Sequence, residues 1–160
     1  MENYNLLVVA RAIHVAGVVV WIGGVYFVTI VLIPKLRKES NPDMRLEMFE
    51  DFESRFAFQA KIVSLSTGIS GFYMIHFLDA WERYLHIEFW WLHLMSFVWL
   101  VFTVVLFLLE PLVLHRWFLE QAHKNSDKTF ALLHSFHKVI LSISMVAILG
   151  AVAGSHGYQF

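Results

Sequence analysis

Four apolar stretches, at about residues 5–34, 56–79, 87–114 and 134–155, alternate with segments that hold most of the charge. Each is as long as the roughly 20 residues a helix needs to cross the hydrocarbon core of a bilayer. The pattern predicts an all-α integral membrane protein. It is read as one domain over residues 1–160, a four-helix bundle running up-down-up-down through short connections. Between the first two spans, Leu46, Phe49, Phe52 and Phe56 form a helically spaced apolar stripe among acids and bases. That stripe predicts either a helix lying at the membrane surface or a charged extension of span two. No repeat, linker or low-complexity tract interrupts the pattern.

The charges orient the bundle. Lys35, Arg37, Lys38, Arg45 and Arg55 lie between spans one and two, and Arg116, Lys124 and Lys128 between spans three and four. The opposite side carries only Arg11 and Arg83. The positive-inside rule then puts both termini outside and the two charged loops in the cytoplasm, a topology fitted to a bacterial inner membrane. The start of the chain has no basic n-region, and its first apolar run exceeds the length of a signal-peptide core, so it is read as a span.

Composition agrees and excludes some chemistry. Hydrophobic residues make up 58% and charged residues 16%, below the roughly 25% of soluble domains. Mean hydropathy is +0.61. With no cysteine, disulfides, thiolate metal sites and cysteine nucleophiles are excluded. The net charge of −1 and the absence of a basic, aromatic-interleaved stripe give no reason to expect nucleic acid as a partner. The lipid bilayer is the first partner expected, and self-association is left open.

Nine histidines are many for 160 residues. His14 stands about two turns inside span one, where an ionisable group is costly and usually functional. His14, Gly17, Trp21 and Gly24 recur at helical spacing and share a face. Glycines beside a histidine clear room for something flat, which points to an axial haem ligand. His14 lies about 12 Å into span one and His93 about 9 Å into span three, counted at 1.5 Å per residue. Those spans run in the same direction, so the two imidazoles are expected at similar depth, as the ligands of one haem b iron. The alternative is a pair of histidines hydrogen-bonded between helices. Arg11, one turn outward of His14, is expected either to pair a propionate or to snorkel to the interface. His76 and His156, at the outer ends of spans two and four, are alternative ligands. His134 and His137, with His115 across the loop, form either a second metal site or a wet helix end.

Gly68 and Gly71, with Ser64, give span two a small-residue face, and Gly150 and Gly154 do the same for span four. Such faces serve close helix packing, and they also clear space for a porphyrin. Trp81, Tyr84, Trp90 and Trp91 gather at the outer boundary as an aromatic belt. Glu110-Pro111 falls at the inner end of span three, as a helix end reaching water or a partner for a proton or a quinone ring.

The segment from Arg11 to Phe27 resembles span one of the HemJ-type protoporphyrinogen oxidases and the related CopD-like membrane proteins. Phe49-Glu50-Asp51-Phe52-Glu53-Ser54-Arg55-Phe56, followed by Thr67-Gly68, resembles their approach to span two. Trp91-Leu92-His93-Leu94 resembles the opening of their third span. The resemblance implies a four-helix protein that binds b-type haem through the histidines at positions 14 and 93. The oxidase pattern has a lysine two residues after the span-three histidine, where this chain has Met95, and a histidine just beyond span one that has no counterpart near Pro34 and Lys35.

The combined expectation is a b-type cytochrome that moves electrons between membrane quinol or quinone and an acceptor near the outer face, such as a redox partner protein. His14 and His93 would hold iron, Arg11 a propionate, and Gly17, Trp21 and Gly68 would shape the pocket. The alternatives are a quinone-linked protoporphyrinogen IX oxidase, and a copper or haem transport or assembly protein with transient histidine ligands.

Overall fold

The computed structural model describes residues 2–158, with side chains from residue 4 onward. Among these residues all regular structure is helical, arranged as four long helices. Helix α1 spans Glu2–Phe27 and continues through a π-helical stretch, Val28–Leu32, into a last turn, Ile33–Leu36. Helix α2 spans Pro42–Phe77. Two 3₁₀ turns, Trp81–Leu85 and Ile87–Phe89, lead into α3. Helix α3 starts at Trp90–Val104, widens to a π-helix over Val105–Leu114 and finishes as His115–Lys124. Helix α4 spans Ser126–Ser155. The stretches Tyr4–Leu36, Ile87–Lys124 and Ser126–Ser155 are long and apolar enough to cross a membrane. Helix α2 is more polar, because Lys61, Ser64, Ser66, Thr67 and Ser70 interrupt its apolar residues.

Capping explains the helix boundaries. Asn41 accepts from the backbone N–H groups of Asp43 and Met44, and Pro42 opens α2 where no intrahelical donor is needed. Asn125 accepts from the Lys128 N–H and starts α4. Helix α2 ends in a Schellman turn: Ala80 N–H bonds Ile75 O, Asp79 N–H bonds His76 O, and Asp79 takes φ 48°. Helix α4 ends the same way, with Gly157 at φ 84° and Tyr158 N–H on Ala153 O.

The structure differs from the sequence reading at the charged loops. The stripe of Leu46, Phe49 and Phe56 belongs to α2 itself, so the extension of span two is the form adopted. The segment expected as a loop between spans three and four is helical on both sides of Asn125, and Arg116, Lys124 and Lys128 lie within helices. Phe118, Ala122 and Phe130 carry an apolar face through this charged region and pack with Ile33, Leu36 and Leu46. The 3.6-residue period therefore persists beneath the charge.

Helix α1 packs mainly along α2, and α3 mainly along α4. Arg45, 4% exposed, fastens this end of the bundle. Its guanidinium donates to Glu39 O, Ser126 Oγ and Asp127 Oδ1, and lies 5.6 Å from the Phe130 ring centre. We call this the charged end. The opposite end, where α2 and α4 stop, holds a cavity. Between the two ends, Trp21, Ile22, Val25, Val98, Ile140 and Leu141 form a second apolar core. Large apolar side chains such as Val19, Phe58, Ile69, Leu100, Leu112 and Leu149 face outward from all four helices. A surface of that kind suits contact with lipid.

Candidate functional site

The cavity has a volume of about 440 Å³ and is walled by all four helices and the 3₁₀ turns. Most of its wall is aliphatic or aromatic. Polar groups enter from Arg11 and His14 on α1, Thr67 on α2, Arg83 and Tyr84 on the connecting turns, Ser96 and Trp99 on α3, and Ser144 and Ser155 on α4. Its size falls within the roughly 300–1,000 Å³ of small-molecule and cofactor pockets.

His14 reaches across the α1–α2 seam. Its Nδ1 lies 2.9 Å from Thr67 O, so Nδ1 carries the proton and donates. Ser70 Oγ stands 3.5 Å from the same nitrogen. The ring approaches α2 closely at Gly71, where an added Cβ would sit 3.1 Å from His14 Cε1. Donation from Nδ1 leaves Nε2 with a free lone pair. Metal-bound histidines generally have this arrangement, one nitrogen held by a backbone carbonyl and the other presented to the metal. His137 and His156 make similar bonds to Leu133 O and Val152 O on their own helix, but neither borders the cavity.

The structure brings His14, Arg11, Trp21 and Gly68 together on the cavity wall. Arg83 joins them, its guanidinium 5.3 Å from the Phe89 ring centre. In the sequence Arg83 reads only as an outer-face charge, yet among the described residues it and Arg11 are the two arginines on the wall. Gly17 sits behind the wall, where its missing Cβ admits the Thr67 hydroxyl. The space beside Gly68 is filled by the indole of Trp99, which donates to Ser64 O at 3.0 Å. These glycines serve helix contact, and Gly150 and Gly154 likewise receive Trp90 and Trp91.

His93 does not line the cavity. Its Nδ1 lies 3.1 Å from Phe89 O and its Nε2 3.0 Å from Tyr84 O. The ring braces the turn before α3, and Tyr84 Oη bonds Ser96 Oγ at 2.7 Å to complete that brace. His14 and His93 are thus not brought to face one another across the cavity. His76 is exposed at the end of α2, and His156 is exposed at the end of α4. Met74 and Met95 do border the cavity.

The histidines at the charged end are held by protein groups. His134 Nε2 donates to Thr29 O at 3.0 Å, and its Nδ1 accepts from Arg37 at 3.3 Å. His115 Nδ1 lies 3.4 Å from Glu53 Oε2. Among the described residues no group of three or more His, Asp or Glu side chains is arranged to share a metal ion. Burial pushes the Glu53 carboxyl above the ordinary range; His115 opposes that shift and nearby Glu110 adds to it. Glu110 is not a bare helix end, because its carboxylate pairs with Lys61 Nζ at 2.9 Å.

No protein-family model, curated protein or solved structure matches the chain.

Proposed function

We propose that this chain is a b-type haem protein of a bacterial inner membrane that carries electrons between quinol and an acceptor near the outer face. The proposal includes four spans, with α2 as the fourth, and both termini outside. The charge asymmetry along the sequence supports that orientation. The observation that carries the haem reading is His14, whose Nδ1 is held by Thr67 O and whose Nε2 is left for the cavity. An apolar cavity of this size, with one such imidazole and cations from Arg11 and Arg83, fits a flat, two-carboxylate macrocycle.

In this reading His14 would bind the haem iron through its free ring nitrogen, and Arg11 and Arg83 would hold the propionates. The other soft donors on the wall, among the described residues, are the thioethers of Met74 and Met95. Gly71 gives the His14 ring its place, and Trp21 closes the floor. Haem, when bound, supplies a one-electron couple tuned by its axial ligands and by burial.

The same pair of arginines favours a second reading, in which a porphyrinogen is the substrate of a HemJ-like oxidase. The visible spectrum of the purified protein tests the first reading. Soret and α bands that vanish in His14→Ala are expected. A colourless protein that takes up no added haem would overturn it. Rescue of a strain lacking its porphyrinogen oxidase would select the second.

A further inference from the structure

Among the described residues, three buried side-chain polar atoms have no hydrogen-bond partner: Trp21 Nε1, Ser64 Oγ and Thr103 Oγ1. Their neighbours along the helices put them at similar depth, in one layer of the bundle. Trp21 lines the cavity floor and packs edge-on against Phe102 at 4.8 Å, next in sequence to Thr103. Ser64 lies where Trp99, also on the cavity wall, donates to its carbonyl. Thr103 is one turn beyond Trp99 on α3, on the same side of that helix.

Most hydroxyls in these helices satisfy themselves on the preceding turn, as Ser66, Thr67, Ser70 and Ser144 do. Ser64 and Thr103 do not. Internal water commonly satisfies buried polar groups of this kind. Beyond this layer, toward the charged end, stands the Lys61–Glu110 pair, one turn from Ser64 on α2. Beyond that again stands Glu53 with His115. From Lys61 to Thr67 on the cavity wall is six residues, an axial distance of about 9 Å. An ion pair at this depth is costly and is usually retained for a function.

We propose that buried water bridges Trp21, Ser64 and Thr103, and that this layer joins the Lys61–Glu110 and Glu53–His115 pairs into a proton-conducting column. The column connects the charged end of the bundle to the cavity. Trp21 only donates and anchors the water. The waters, the Ser64 and Thr103 hydroxyls, the Glu110 and Glu53 carboxyls and the His115 imidazole each take up one proton as they release one, so no charge accumulates along the column. It supplies or drains protons for proton-linked chemistry in the cavity, as quinol oxidation or porphyrinogen oxidation would require. It stands whether or not the cavity holds haem.

Two measurements on the full chain test this. In the first, the protein is reconstituted in liposomes holding a pH-sensitive dye, and a potassium diffusion potential drives protons. Wild type should conduct above empty vesicles. Thr103→Val, Ser64→Ala and Glu110→Gln should each reduce the flux about tenfold, the equivalent of losing one hydrogen-bonded link. Thr103→Ser, which keeps the hydroxyl, should conduct like wild type. Flux no greater than in empty vesicles, or equal flux in all variants, would overturn the column. In the second, the indole N–H of Trp21, assigned by its loss in Trp21→Phe, should show a water cross-peak in the NMR spectrum of micellar protein. A dry indole would remove the hydrated layer, irrespective of the haem content of the sample.

Discussion

His14 donates from Nδ1 to the Thr67 carbonyl at 2.9 Å, and this bond joins α1 to α2 at the cavity wall. The bond depends on residue 71 being glycine. A Cβ there would stand 3.1 Å from His14 Cε1 and 3.3 Å from Nδ1. Gly71→Ala should shift the ring by a few tenths of an ångström and broaden the haem bands. Gly71→Val should displace the ring and release most of the haem, with helix content by circular dichroism unchanged. Full haem retention in Gly71→Val would mean that His14 is not the ligand.

The two arginines at the cavity mouth give a second prediction. If Arg11 and Arg83 hold carboxylates, each single alanine variant loses one charge-assisted contact, worth about 1.5–3 kcal/mol. That corresponds to roughly 10- to 150-fold weaker haem binding by competition with a haem-scavenging protein. Arg11→Lys should lose less, since a point charge keeps the attraction but not the bidentate geometry. Equal binding in wild type and the Arg11→Ala, Arg83→Ala double variant would leave both side chains as interfacial anchors.

The helical class, three long apolar helices and the grouping of His14, Arg11, Trp21 and Gly68 on one cavity wall were legible in the sequence. Hydrophobic periodicity encodes those features directly. The rotation of a side chain about its helix axis is not encoded in depth. Counting residues along the spans gives His93 the depth of His14 but says nothing of the Tyr84 carbonyl that its ring meets. Arg83 enters the site through the fold of the turns between α2 and α3, which no periodicity describes. One lysine near the inner end of a span carries no distinctive signal in a sequence, and Lys61 is such a residue. Only the placement of Glu110 opposite it reveals the pair. The helices on both sides of Asn125, where the sequence suggests a loop, are hidden for a related reason. Dense charge masked the stripe of Phe118, Ala122 and Phe130.

Arg45 should be the most sensitive charged residue for stability. Its buried guanidinium satisfies Glu39 O, Ser126 and Asp127 from one position. Arg45→Ala should lower the unfolding free energy in micelles by about 1.5–3 kcal/mol, the range for hydrogen bonds to a charged group. Asp127 is 88% exposed, so Asp127→Asn should cost under about 1 kcal/mol. A reversed order would show that the ion pair, and not the backbone contact, fastens this end.

Glu53 gives a pH dependence. Its folded-state pKa is raised, chiefly by burial, so the folded protein binds its proton more tightly than the unfolded chain does. The ionised carboxylate therefore costs stability above the folded pKa. That cost is relieved as pH falls through the raised value toward the ordinary carboxylate range. Glu53→Gln should be more stable than wild type at about pH 8, with an advantage that shrinks on acidification. Denaturant titrations at several pH values read the difference. An advantage that grows on acidification would mean that the His115 contact outweighs burial.

The last prediction concerns the π-helical turn of α1. Ile33 N–H bonds Val28 O, a five-residue step. In that register the carbonyl of Thr29 should receive the N–H of residue 34, which is proline and has none. His134 supplies the missing donor from α4 at 3.0 Å. His134→Ala should leave a buried carbonyl unsatisfied, at a cost of about 1–3 kcal/mol, and leave the haem bands unchanged because the site lies at the other end of the bundle. Pro34→Ala restores a donor within α1. In that background His134→Ala should cost less, giving a coupling of about 1 kcal/mol in a double-mutant cycle. Additive losses would mean that the Thr29 carbonyl finds another partner and that His134 has a different task. Bleached haem bands in His134→Ala would instead move the cofactor to the charged end.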